Sequence, residues 1–124
     1  MPTKRSPFDY RQTASFYFSA LAKVEGQLNE QEDIVIDGEF IGRIQTGGFC
    51  EISENGNFQG DLKAKSITIL GNSDGEIHGE DTVVVKKSAK VHGIIITPRI
   101  SVDAGAQVDA RIKNLNKKVI EHSE

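Results

Sequence analysis

Three kinds of side chain in this sequence could do chemistry. Carboxylates come in close pairs, at Glu32–Asp33, Asp37–Gly38–Glu39 and Glu80–Asp81. Two carboxylates facing each other across a groove are what glycoside hydrolysis requires. His78 and His92 each stand next to a glycine. They would serve as metal ligands if they converged on an ion at about 2.0–2.2 Å. The segment Thr46-Gly47-Gly48-Phe49 has the glycines of a phosphate cradle.

Each group lacks the companions its chemistry needs. No cysteine or further histidine joins His78 or His92, and slot counting points them outward on different sides. His122 lies close to the C-terminus and supports nothing. The glycines at 47 and 48 are followed by neither a Gly-Lys-Ser/Thr signature nor a helix whose N-terminus could face a phosphate. The segments around the carboxylate pairs are a few residues long, too short to wall a cleft. Asp37-Gly38 and Asn55-Gly56 read as turn dipeptides. The expectation is therefore a chain with no catalytic residues, no cofactor and no metal, and not an enzyme.

The elements that position these residues are set by a repeat. Four apolar slots, a small-residue slot and a glycine slot return about every 17 residues, six times over. The first slot holds Phe16, Ile34, Cys50, Ile67, Val83 and Ile100. Two residues on come Phe18, Ile36, Ile52, Ile69, Val85 and Val102. The third slot holds Val24, Phe40, Phe58, Ser73, Val91 and Val108. It is preceded at two residues by Ala22, Gly38, Gly56, Gly71, Ala89 or Ala106. It is followed at two by Gly26, Gly42, Gly60, Gly75, Gly93 or Ala110. Leu28, Ile44, Leu62, Ile77, Ile95 and Ile112 close the units.

Alternation of apolar and polar residues over three to five positions reads as short, half-buried strands. A helix is excluded, because a glycine in every unit would cost about 1 kcal/mol each. Each unit is thus expected to be three short strands joined by bends, with small residues at the corners. The step from slot two to slot three is six residues in four units and four residues at Ile36–Phe40 and Ile69–Ser73. Loop lengths drift while strand slots do not, as in a stacked coil. Of the 24 inward slots, only Ser73 is not apolar. The reading is an all-β, three-sided parallel β-helix of about six coils, roughly 25 Å long at ~4.8 Å per coil. The strict six-residue frame of left-handed acyltransferase helices fails, since stepping on from Val85 and Val91 reaches Thr97 and then Asp103. Unequal faces favour a right-handed coil.

With 124 residues the chain has room for one domain. Its single cysteine excludes an internal disulfide and a four-cysteine zinc site, and Cys50 reads as a small buried hydrophobe. No run of about 18 apolar residues is present, and no secretory signal is visible, so the expected location is the cytoplasm. Residues 1–15 carry a net charge of +2, residues 16–112 of −6 and residues 113–124 of +1. An acidic body argues against nucleic acid as partner.

The segments I-V-I-D-G-E-F-I-G-R-I at 34–44, F-Q-G-D-L-K-A at 58–64 and T-P-R-I-S-V-D-A-G-A-Q-V at 97–108 resemble bactofilins. The resemblance runs from Phe16 to Ile112, about four fifths of the chain. It implies a right-handed, three-sided β-helix at 16–112 between flexible tails at 1–15 and 113–124. It implies a bacterial cytoskeletal protein that polymerises without nucleotide or metal, head to head and tail to tail, into filaments without polarity. Such proteins act as scaffolds in cell shape, often near cell-wall synthesis, and many attach to the inner membrane by an N-terminal segment. The partners implied are the chain itself, inner-membrane lipid, cell-wall enzymes and a paralogue. Two positions depart from the pattern, Ser73 in an apolar slot and Ala110 in the last glycine slot.

A β-helix exposes unpaired backbone groups and apolar side chains at both ends. Solenoids usually cover these with caps, and here the tails are too short for one. The expected polymerisation interface is therefore Phe16, Phe18, Val24 and Leu28 at one end and Val102, Val108, Ile112 and Leu115 at the other. In the N-terminal tail, Lys4, Arg5, Phe8, Tyr10 and Arg11 mix cations with aromatics. This pattern suits an anionic bilayer surface, where each cation adds about 1 kcal/mol. Avidity along a polymer would strengthen so weak an anchor. The alternative is a non-polymerising β-helical adaptor that binds a protein along one flat side, through outward Ile41, Ile94 and Ile96.

Overall fold

The alternating pattern becomes eleven strands in the computed structural model, which describes residues 16–19, 22–114 and 120–122. They are β1 (Phe16–Phe18), β2 (Lys23–Glu30), β3 (Ile34–Ile36), β4 (Glu39–Thr46), β5 (Phe49–Ile52) and β6 (Asn57–Ile69). There follow β7 (Asn72–Val85), β8 (Lys90–Thr97), β9 (Ile100–Asp103), β10 (Gln107–Asn114) and β11 (Ile120–His122). Among the described residues there is no helix, and every strand pairing is parallel.

Register follows the repeat slot for slot. Phe16 pairs with Ile34, Ile34 with Cys50, Cys50 with Ile67, Ile67 with Val83 and Val83 with Ile100. Val24, Phe40, Phe58, Ser73, Val91 and Val108 form a second such column. This is a β-solenoid of about six turns. Its first face is built from β1, β3, β5, the C-terminal ends of β6 and β7, and β9. The other two faces lie on β2, β4, the N-terminal parts of β6 and β7, β8 and β10.

The structure corrects the expectation of three separate strands per coil. The second and third faces belong to one strand, bent at its glycine. Gly42, Gly60, Gly75 and Gly93 have φ between +115° and +141° and pair with one another, so the ladder runs unbroken through the corner. A side chain is excluded there twice over. Positive φ disfavours an L residue, and a Cβ on Gly60 would strike the carbonyl oxygen of Gly42 one coil away. The longer step between slots two and three is a tight turn. Its amide-to-carbonyl bonds run from Ala22 to Ser19 (2.9 Å), Gly56 to Ser53 (2.7 Å), Ala89 to Lys86 (2.9 Å) and Ala106 to Asp103 (3.2 Å).

Inside, the columns close into one apolar core of buried Ile, Val, Leu, Phe and Cys50. Each large aliphatic side chain so enclosed contributes about 1.5–3 kcal/mol. Phe40 stacks on Phe58 with centroids 5.9 Å apart, and Phe18 meets Phe40 edge-on at 5.5 Å. Ser73 keeps the register but is 2% exposed, and its Oγ has no hydrogen-bond partner. A fifth inward column, absent from the slots read in the sequence, holds Thr46, Ala64, Gly79 and Thr97. They follow the fourth slot by two residues and are small because they sit at the third corner. Thr46 Oγ1 donates to the Glu32 carbonyl and accepts from the Gly48 amide. Thr97 Oγ1 donates to the Arg99 carbonyl at 2.9 Å.

The C-terminal end also differs from expectation. Residues 113–124 are not wholly a tail beyond the coils. Within them, β11 pairs in parallel with β9, Glu121 in register with Val102, and starts another turn on the first face.

Candidate polymerisation interface

At the N-terminal end, β1 pairs only with β3 and β2 only with β4 among the described residues. The other edge of each strand carries a row of backbone donors and acceptors with no described strand beside it. Phe18, Val24 and Leu28 stand in inward columns on these strands, half-buried, and pack against the core. The backbone of Phe16 pairs with Ile34. The glycine column shows the same opening. A Cβ on Gly42 would collide with Gly26, whereas a Cβ on Gly26 would meet nothing within 4 Å.

At the C-terminal end, β10 pairs with β8 alone among the described strands. Ile112 stands in register on Ile95. Ile95 is 0% exposed and Ile112 is 37% exposed, though both occupy the same inward column. The difference is the presence of a coil above Ile95. Val108 shares the strand with Ile112 and is half-buried. Val102 lies one layer further in than expected, because β9 is paired on both sides, by β7 and β11. Leu115 lies outside the described residues, as do Lys4, Arg5, Phe8, Tyr10 and Arg11.

The isoleucines of the alternative reading do not form one patch. Ile94 and Ile96 share β8, flanked in register by Glu76 and Arg111 and by His78 and Lys113. Ile41 stands far from both in the stack, between Glu25 and Gln59.

Three of the carboxylates first weighed for chemistry make contacts between coils. Asp37 Oδ2 accepts from the Tyr17 hydroxyl and Oδ1 from Ser53 Oγ, both at 2.7 Å. Asp33 Oδ1 accepts from the Phe49 amide at 3.0 Å, and Glu80 lies 3.7 Å from the Lys63 ammonium. His78 and His92 stand in different columns. Among the described residues no group of three or more His, Cys, Asp or Glu side chains could hold a metal ion. Burial, with the Glu51 charge beside it, raises the Cys50 thiol pKa far above its ordinary range. No helix among the described residues is long and apolar enough to cross a membrane.

A family model described as bactofilin, polymer-forming cytoskeletal, matches residues 17–113. Bactofilin BacO of Myxococcus xanthus (strain DK1622) is 27% identical over 111 residues, covering 88% of this chain and 88% of that protein. No solved structure matches the chain.

Proposed function

The chain belongs to the bactofilin family of polymer-forming cytoskeletal proteins, and from that premise we propose that it joins end to end into filaments without nucleotide or metal. The observation that carries the reading is Ile112. It is a core-column residue left 37% exposed where the stack stops, on a strand paired with one described neighbour. A second end placed against it buries apolar surface and completes the backbone ladder at once. Joining head to head and tail to tail sets each end against its own copy, the isologous arrangement commonest in self-association. The product is a filament without polarity. It serves as a cytoplasmic, non-catalytic scaffold for cell shape or cell-wall synthesis. Lys4, Arg5, Phe8, Tyr10 and Arg11 hold it to the inner membrane.

Negative-stain electron microscopy of the purified protein, with no nucleotide added, tests this. Wild type gives filaments. Ile112→Arg and Phe18→Arg give folded, short species, because an unpaired charge buried in the joint costs ~3–5 kcal/mol. Long filaments from both variants would refute the end-to-end joint. A single Lys23→Cys variant crosslinks to itself under oxidation only if N-terminal ends meet.

A further inference from the structure

The two ends of the solenoid differ on the first face. At the N-terminal end β1 pairs with β3 alone, so its outer edge meets no described strand. At the C-terminal end the outer edge of β9 is taken by β11. On the other two faces of that end the edge of β10 meets no described strand, and Ile112 is left 37% exposed. The strand that closes the first face departs from the repeat in three ways. It has three residues and pairs with no described strand but β9. It breaks the frame of the second slot. That column is apolar from Phe18 through Ile36, Ile52, Ile69 and Val85 to Val102, and the register then sets Glu121 over Val102. It also lies beyond residues 17–113, the stretch matched by the polymer-forming family model. A very short edge strand and a charged residue at a core register position are both devices that stop further pairing. Another chain stacked on β11 would set an apolar slot at the register position of a charged residue, and a buried charge without a partner is destabilising.

Building on the end-to-end joining inferred above, we propose that β11 is a releasable cap on the C-terminal joint. Bound to β9, it withholds the first face from a second copy. When it leaves, the C-terminal end of that copy takes its place and the joint closes on all three faces. The lengths of the two outer strands suit this division. β10 pairs with β8 over eight residues, whereas β11 is held over three. A short edge strand with one neighbour belongs to the parts of a fold that open first. Cap and second copy compete for the same backbone edge of β9. The cap is tethered to its own chain, so dilution does not weaken it, while the second copy gains with protein concentration. Only the uncapped fraction can join, which lowers the apparent affinity of this end by that fraction. The N-terminal end has no such strand among the described residues. Its joint therefore forms first, giving pairs of chains, and filaments follow above a threshold set by β11.

Sedimentation of assembled protein over a concentration series, with electron microscopy of the products, tests the cap. Three proteins are compared: wild type, a chain lacking residues 120–124, and the double variant Ser101→Cys with Ile120→Cys. Those two positions are in register across β9 and β11. Strand neighbours about 4.8 Å apart are within reach of a disulfide, and native Cys50 is buried. Non-reducing gels select chains crosslinked within themselves. The deletion lowers the concentration at which filaments appear by at least about threefold, because the uncapped fraction rises. The oxidised double variant stops at pairs joined by their N-terminal ends, and reduction restores filaments. Oxidised chains that polymerise as the reduced ones do would overturn the cap. So would an unchanged threshold in the deleted chain, or loss of its filaments, which would make β11 part of the joint. In each of these cases wild type still forms filaments, and end-to-end joining stands. Absence of filaments from wild type and deleted chain alike would refute that joining, and the cap with it.

Discussion

The Tyr17 hydroxyl donates to Asp37 Oδ2 at 2.7 Å, tying the outermost described coil to the second by a side chain as well as by its ladder. Asp37 Oδ1 accepts from Ser53 Oγ at the same distance, so one carboxylate joins three successive coils. Tyr17→Phe is expected to lower stability by ~1.5–3 kcal/mol, the range for a hydrogen bond to a charged group. Asp37→Asn should cost a similar amount, and the double variant less than the sum of the two. Urea unfolding of the four proteins gives the coupling. Full additivity would mean that the contact does not stabilise the stack.

Two glycines in one column should respond unequally to a methyl group. Gly60→Ala meets both a φ of +130° and the Gly42 carbonyl, so the loss is expected to exceed about 4 kcal/mol. Gly26→Ala meets only its φ of +143°, for ~1–2 kcal/mol, and remains folded. Its methyl points from the open N-terminal end, into space that a stacked partner would fill. Calorimetry orders the two variants, and microscopy of Gly26→Ala should show shortened filaments. Equal melting temperatures would contradict the steric argument.

Ser73 is a defect that substitution should repair. Its hydroxyl is buried without a partner between Phe58 and Val91. Ser73→Ala removes that desolvated group and should stabilise by ~1–3 kcal/mol. Ser73→Val also restores the apolar column. A lower melting temperature for Ser73→Ala would show that the hydroxyl is satisfied in solution.

Cys50 sets an alkaline limit. Burial, then the Glu51 charge, disfavours the thiolate in the folded state, so its folded pKa lies above the unfolded value. The stability this contributes is complete below the unfolded thiol pKa of about 8.5 and is lost as pH rises above it. Cys50→Ala should lose less stability than wild type between about pH 8.5 and 10. Parallel curves for the two proteins would exclude the thiol as the cause.

The columns were legible in the sequence because stacking demands the same residue type at the same slot in every coil. Ile34, Cys50 and Ile67 could be aligned without coordinates, and the register matches that alignment. The corner column of Thr46, Ala64, Gly79 and Thr97 was not read, since small polar residues in a loop carry no periodic apolar signal. Small size two residues after slot four was the available clue. Nor did the sequence reveal β11. Ile120 falls in register on outward Ser101 rather than in an inward slot, so the last strand breaks the frame that made the others visible. Burial of outward Val35 and Glu51 was equally hidden, because alternation reports the direction of a side chain and not how far its neighbours screen it.

Because the inward slots of each coil stand in register on those of its neighbour, with one bulge between Ala64 and Ser66 taken up outside those slots, the whole turn is the natural unit of change in this protein. Residues 57–71 end where Asn72 takes up the position of Asn57. A duplicate of that stretch would slot between existing layers and lengthen the body by one strand spacing, ~4.8 Å. The junctions at either extremity would be left as they are, so length and mode of joining could vary independently.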